Sequence, residues 1–171
     1  MNGIEKRKIE RNERVQHMIS FESITEETLY IAMELLNSNE EYNRLENGQA
    51  ARTEEEVRAE YINKKTISLF IKADDTYIGL IDFLNKNEKD GYPWIGSFII
   101  HQDYHGYGYG TQAYFHFEQW LIDKGVSTVR LGVLQLNKRG REFWERAGFQ
   151  YYTTKQLGPN QVDCFEKTVQ A

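Results

Sequence analysis

In the middle of the chain, apolar residues come in short runs rather than in helical stripes. Thr66–Lys72 (TISLFIK), Tyr77–Leu84 (YIGLIDFL) and Trp94–Ile100 (WIGSFII) are rich in β-branched and aromatic residues, which predicts strands, with a turn at Ala73–Thr76. Upstream, Gln16–Ser23 reads as a strand. Thr25 can cap a helix that ends near Asn37, with Ile24 and Leu29 placed as a hydrophobic staple. Thr53 and Glu56 form a capping-box pattern for a second helix running to about Ile62. Between these helices, Ser38–Gln49 is polar and shows no period, so a loop is expected there. From Thr111 the period becomes helical, with Tyr114, Phe117 and Leu121 on one stripe and Ala113 and Trp120 beside it. Gly125 stops that helix. A strand at Thr128–Leu136, a helix at Arg139–Ala147 stopped by Gly148, and strands at Phe149–Lys155 and Val162–Val169 around a turn at Gly158–Asn160 complete the order βααβββαβαββ. That order predicts an α+β fold with a mixed sheet flanked by helices.

Composition narrows the class. A chain of 171 residues suits one domain over 1–171, with residues 1–14 as a charged N-terminal extension. A hydrophobic share of 40% provides material for a core, and a net charge of −5 argues against a nucleic-acid partner. Cys164 is the only cysteine, so neither an internal disulfide nor a cysteine zinc cluster can form; no metal is expected, and a reducing compartment is the simplest home. Cys164 lies in an expected strand and is read as packing. No run approaches the ~18 apolar residues of a membrane span, and the N-terminus lacks the apolar core of a signal peptide. The expectation is a cytoplasmic protein with no membrane partner.

The strongest chemical signal is His105-Gly106-Tyr107-Gly108-Tyr109-Gly110-Thr111, which follows a strand and opens a helix. Glycines let backbone amides approach an anion, and the first helical turn adds unpaired N–H donors and the positive end of its dipole. Thr111 follows Gly110 with no lysine between them, so the loop is not a P-loop. Glycines at every second position also miss the dinucleotide fingerprint.

The loop resembles the acetyl-CoA pyrophosphate loop of the GNAT superfamily of N-acetyltransferases, which reads Gln or Arg, two residues, Gly, any residue, then Gly or Ala. Gly108 and Gly110 fit the small positions, and His105 stands where Gln or Arg is usual. Asn137, Gly140, Phe143, Trp144, Gly148 and Phe149 are similar to the family's second motif, at the right distance downstream. The resemblance spans residues 16–169. It implies a mixed, mostly antiparallel sheet with two splayed parallel central strands, here Trp94–Ile100 and Thr128–Leu136. It further implies that acetyl-CoA is the co-substrate. Backbone groups of Phe98, Ile99 and Ile100, together with Asn137 and Trp144, would meet the pantetheine arm. His105 and the amides of Gly106, Gly108, Gly110 and Thr111 would hold the pyrophosphate.

Catalysis is where the chain departs from the family. A lysine-like amine is neutral only about 1 part in 2,500 at pH 7, so a base or a water chain is useful. The family's usual Glu position falls on Trp94 and its Tyr position on Trp144, and an indole exchanges no protons. Asp82, an acid inside an apolar strand, and His101, at the strand end before the loop, are the substitute candidates for base; each also reads as an ordinary structural residue, and Glu22 is a weaker candidate. Tyr42, Asn43, Arg44 and Glu46 of the polar segment offer contacts to an acceptor. The resulting expectation is acetyl transfer to a primary amine of a small molecule or peptide. A catalytically weak acyl-CoA-binding sensor or regulatory module is the alternative, and O-acetylation would demand a stronger base. The last two strands present an edge that a partner could cover, leaving monomer and homodimer both open.

Overall fold

In this computed structural model, which describes residues 16–170, the apolar runs pair into one seven-stranded sheet of order β1-β2-β3-β4-β5-β7-β6. The charged extension at 1–14 falls outside the described residues. The strands are β1 (Ile19–Ser23), β2 (Ile67–Ala73), β3 (Thr76–Leu84), β4 (Trp94–Ile100), β5 (Thr128–Leu134), β6 (Gln150–Leu157) and β7 (Asn160–Thr168). The helices are α1 (Leu29–Asn37), α2 (Glu40–Asn47), α3 (Glu54–Tyr61), α4 (Tyr109–Asp123) and α5 (Lys138–Arg146), with 3₁₀ turns at Glu26–Thr28 and Gln102–Tyr104. All strand pairs are antiparallel except β4 with β5. This is the expected mixed α+β arrangement.

Alternation along the central strands sends side chains to two cores. One face packs Ile71, Ile81, Phe83 and Ile95 against Ala113, Tyr114, Phe117 and Leu121 of α4 and Trp144 of α5. The other packs Phe70, Leu80 and Ile99 against Leu29, Ala32, Leu35 and Leu36 of α1 and Val57 and Tyr61 of α3. The Ile24–Leu29 staple is buried in this second core. Thr53 accepts from the Glu56 amide at 3.2 Å, one half of the capping box, while the Glu56 carboxylate accepts from the Thr53 hydroxyl at 3.0 Å. Cys164 is buried on β7, where it packs.

β4 and β5 pair only at Trp94↔Arg130 and Ile95↔Leu131, and then part. The register of β3 on β4 slips here: Asp82 faces Ser97 while Phe83 faces Ile95, leaving Gly96 as an extra residue. Such a bulge bends the strand and sharpens its twist, turning β4 away from β5. The splay implied by the resemblance is present.

The segment 38–49, expected as a loop, instead contains α2. Its buried face is polar, so no hydrophobic period announced it. Asn43 is fully buried; its Nδ2 donates to the carbonyls of Leu36 (3.0 Å) and Ala50 (2.9 Å), and its Oδ1 accepts from Arg52 Nε (3.1 Å). Buried Arg52 also pairs with Glu46 of α2 at 2.6 Å and Glu60 of α3 at 3.1 Å. Gly48, in the left-handed region at φ 80°, ends the helix.

Replacing Asn43 by Ala leaves the Ala50 carbonyl and the Arg52 Nε–H without partners, while the Leu36 carbonyl keeps the Asn39 amide at 3.2 Å. An unmet buried group costs about 1–3 kcal/mol, so Asn43→Ala is expected to lower stability by about 2–4 kcal/mol in urea titrations. A second expectation concerns Glu60. Burial pushes its carboxyl up from 4.5 to about 6, outweighing the opposing Arg52, with Glu46 and Asp82 adding to the rise. The folded chain therefore holds this proton more tightly than the unfolded chain, and the Glu60 contribution to stability falls as pH rises from 4.5 to about 6. Glu60→Gln should remove that slope from a plot of unfolding free energy against pH.

Candidate functional site

The loop between β4 and α4 is held by its own side chains. His101 caps the 3₁₀ turn, its Nδ1 accepting from the Asp103 amide at 3.0 Å. His105 turns back to β4, where its Nε2 donates to the Ile100 carbonyl at 2.7 Å. Burial, with the charge of Arg139 adding, pushes the proton affinity of His105 below its ordinary value, which suits a neutral ring with its proton on Nε2. His105 thus fastens the loop to the strand. Gly106 (φ 83°) and Gly108 (φ 84°) occupy the left-handed region, and Gly108 is the N-cap of α4. The first backbone bond of that helix runs from Gln112 to Gly108, so the amides of Tyr109, Gly110 and Thr111 lack intrahelical acceptors. A glycine turn followed by three free amides at a helix start is a cradle for an anion.

α5 forms the other wall. Asn137 caps it by accepting from the Gly140 amide at 3.0 Å, and a Cβ on Gly140 would lie 2.5 Å from Asn137 Nδ2. The Asn-x-x-Gly spacing is therefore a tight cap with no room for a side chain. Trp144 is 8% exposed and packs edge-on against Phe98, Tyr114, Phe143 and Phe149. Between α4 and α5 lies an open cleft of about 210 Å³ lined by Thr111, Tyr114, Phe115, Phe143, Arg146 and Ala147. Arg139 and Arg146, which the sequence did not single out, place positive charge near the cradle and the cleft. Their only sequence signal is a run of arginines around the Phe143-Trp144 pair.

The gap between β4 and β5 joins the cradle. A Cβ on Gly79 of β3 would come 2.3 Å from the Ile99 carbonyl, which therefore points away from β5. Successive residues of a strand alternate, so Phe98 and Ile100 direct their backbone groups into the gap. The Ile100 carbonyl is already engaged by His105 and by Asn39 Nδ2 at 3.1 Å, leaving Phe98 with both N–H and C=O facing the opening.

On the α1/α3 face, Gly96 and Gly132 are the first residues past the last β4–β5 pair, so no side chain fills the point where the strands part. Asp82 lies beside it, and its Oδ2 would be 3.2 Å from a Cβ on Gly96. Its Oδ1 accepts from Ser68 Oγ at 2.8 Å. Burial pushes the Asp82 carboxyl above its ordinary value, against hydrogen bonds from Thr66 and Ser68. Tyr61 hydroxyl meets Ser97 Oγ at 2.8 Å on the same face, and Glu60 stands next to it. Glu60 was missed in the sequence because it is one of several acids in a capped helix.

His101 is not brought to this point. It lies four residues beyond Ser97, about 13 Å along an extended strand. Glu22 sits on β1, three strands from β4, bonded to Tyr77 and paired with Lys72. Of the expected acceptor contacts, Asn43 is buried and Glu46 is held by Arg52, while Arg44 is exposed and pairs with Glu40. Trp94 donates Nε1 to Asp90 at 2.9 Å. Among the described residues no cluster of His, Cys, Asp and Glu could hold a metal ion, and no helix is long and apolar enough to cross a membrane.

Comparison with solved structures finds the same fold in distant proteins. An acetyltransferase from Thermus thermophilus superposes with a TM-score of 0.75 at 18% identity, covering 90% of this chain and 99% of that one. The ribosomal-protein-S18-alanine N-acetyltransferase from Escherichia coli gives 0.70 at 13% identity, covering 90% and 96%. PaiA N-acetyltransferase from Thermoplasma acidophilum, solved in complex with coenzyme A, gives 0.64 at 19% identity, covering 88% and 99%. No curated protein matches. The sequence matches the acetyltransferase (GNAT) family model over residues 30–149, a stretch that holds the glycine loop, the parting strands and the Asn137 cap. The chain belongs to the GNAT acetyltransferase family.

Proposed function

We propose that this protein transfers an acetyl group from acetyl-CoA to a primary amine. The observation that carries this reading is the cradle of free amides at Tyr109–Thr111 opening beside a sheet whose central strands have parted. The fit is chemical: a diphosphate suits the cradle, and the amide-bearing pantetheine arm suits the unpaired N–H and C=O of Phe98. Arg146 in the α4–α5 cleft would meet the nucleotide end, and the free Nδ2 of Asn137 the arm. His105 would act by keeping Gly106 and Gly108 in place. Trp144 would pack behind Phe98.

Asp82 is the proposed proton acceptor. It is the buried carboxylate beside the parting point, and its raised proton affinity brings it closer to the working pH of a base. An ammonium proton passes to the Asp82 carboxylate. The freed amine nitrogen attacks the thioester carbon, the C–S bond breaks, and the thiolate leaves and takes up the proton shed by nitrogen. A thiol with pKa near ~8.5 departs without a dedicated acid, consistent with an indole at position 144. Because structural neighbours include a ribosomal-protein alanine N-acetyltransferase, peptide amines belong in the acceptor screen beside small ones.

Calorimetry should show acetyl-CoA binding that Gly108→Asp abolishes through charge repulsion at the cradle, in a variant whose circular dichroism is unchanged. Undiminished binding would remove the loop from the site. Thiol release from acetyl-CoA in the presence of amines should follow; binding without release across the screen would favour the sensor reading.

Asp82→Asn is expected to lower kcat by about a hundredfold and to erase the acid limb of the pH–rate profile. That limb lies above the ordinary aspartate range, since activity needs the carboxylate and burial raises its pKa. Acetyl-CoA affinity should be unaffected. An acid limb that survives in Asp82→Asn assigns the base elsewhere.

A further inference from the structure

The lysines carried by the sheet are Lys72, Lys155 and Lys167. Lys72 pairs with Glu22 and Lys167 with Glu118. Lys155, on β6, is exposed, and among the described residues no carboxylate pairs with it.

Register sets the direction of Lys155. It faces Val162 of β7, which faces Leu134 of β5, so the three share one side of the sheet. Asp163, next along β7, points to the opposite side, where it accepts from Arg141 of α5. Lys155 therefore stands on the α1/α3 side, with Gly132 and Cys164, which lie two residues along their strands from Leu134 and Val162. The α1/α3 core draws on β2, β3 and β4 and on no residue of β5, β7 or β6. That leaves Lys155 an open face to cross.

It crosses inward. Lys155 Nζ lies 5.6 Å from the centre of the Trp94 ring on β4. From β6 to β5 is two strand spacings, about 9.6 Å, and a lysine reaches about 6 Å from its Cα. The side chain thus uses its whole length to lean across β7, and the indole meets it from the far side of β5. Burial pushes the Cys164 thiol up and Lys155 is the largest opposing influence, which agrees with an ammonium held over that strand. Gly132 faces Cys164, and Gly96 lies two residues beyond Trp94. Both glycines are exposed, and both directly follow the last β4–β5 pair. The fold itself holds an amine beside the open point where the strands part.

We infer that Lys155 is a self-acetylation site, whose amine takes the acetyl group at the parted strands when no free acceptor is present. This rests on the transferase reading above. The Lys155 ammonium gives up one proton, for which Asp82 is the carboxylate beside the parting point. Its nitrogen bonds to the acetyl carbonyl carbon, the C–S bond breaks, and the leaving thiolate takes the second proton shed by nitrogen. A neutral amide replaces the ammonium, coenzyme A departs as the thiol, and no further reactant is needed. An exposed cation–π contact is a loose tether that the amine can leave. A group on a short flexible chain has an effective concentration of about 1 mM, so an acceptor amine well above that level should suppress the mark.

The test incubates the protein with acetyl-CoA alone and quantifies acetyl-lysine by peptide mass spectrometry. Lys155 should be modified at least about a hundredfold faster than Lys72. Its rate constant should not change on dilution of the protein, as a step within one chain requires. Gly108→Asp, which blocks the cradle, should lose the mark. Lys155→Arg should lose it while still binding acetyl-CoA in calorimetry. A readout without turnover uses coenzyme A, which has no acetyl group to give: bound, it should slow labelling of Lys155 by acetic anhydride relative to Lys72. Lys155 modified no faster than Lys72, a mark that persists in Gly108→Asp, a rate constant that scales with protein concentration, or no protection by coenzyme A would each overturn the self-acetylation site. Transfer to a screened amine in the same preparation would then leave the transferase standing. Acetyl-CoA binding with no transfer to Lys155 or to any screened amine would instead bring down the transferase reading, and the role of Lys155 with it.

Discussion

Backbone groups inside a sheet must find partners, and β4 and β5 stop supplying them to each other after Ile95 and Leu131. Everything distinctive about this molecule is arranged around that interruption. β4 remains anchored on its other edge by β3, and β5 by β7, so the gap is held open by neighbours that are fully paired. The carbonyl of Ile100 is closed off by His105 and Asn39, while the backbone of Phe98 is left facing the opening. A cradle of free amides begins at the same end of the sheet. An extended ligand with an anionic tail would satisfy both at once, which is the chemical basis of the function proposed above.

The strands were legible because local chemistry and tertiary role agree in them. Runs such as TISLFIK and WIGSFII pack on both faces and could hardly sit elsewhere. Asp82 stood out for the converse reason, a carboxylate in an apolar run, and it does lie beside the parting point. The glycine loop was legible from its spacing, but the work of His105 was not. A sequence places a histidine near an anion site; only the fold shows its ring bonded back to Ile100. Helix α2 is illegible because Asn43 fills the buried position that hydrophobic periodicity assigns to an apolar residue, and its partners Asn39 and Arg52, buried at the cap and beyond the helix end, are polar too. Its partners lie across the chain, the Asn160 contact spanning 114 positions, so no local window contains the information.

That polar layer carries a stability cost as well as a benefit. Burying Glu60 raises its pKa even with Arg52 beside it, so desolvation outweighs the ion pair. An apolar layer would hold α2 to α3 without this penalty. A polar layer instead fixes its partners at defined hydrogen-bond angles, and so sets where α2 lies.

The indoles at the positions where the family commonly carries a glutamate and a tyrosine have a structural explanation. Trp94 donates to Asp90, and Asp90 also accepts from Arg130 at 3.3 Å, so the paired residues Trp94 and Arg130, one step before the strands part, are clamped through one carboxylate. Arg130 is further held by Glu166 on β7 and lies over the rings of Tyr92 and Tyr152. A glutamate at position 94 would break the clamp and bring a third carboxylate beside Asp90 and Glu166. At position 144, the indole is enclosed by Phe98, Tyr114, Phe143 and Phe149, where a phenol hydroxyl would need a buried partner. The vertex of the gap is thereby built for rigidity. In the function proposed above, proton handling would move one strand over, to Asp82 on β3, the buried carboxylate that no side chain at Gly96 covers.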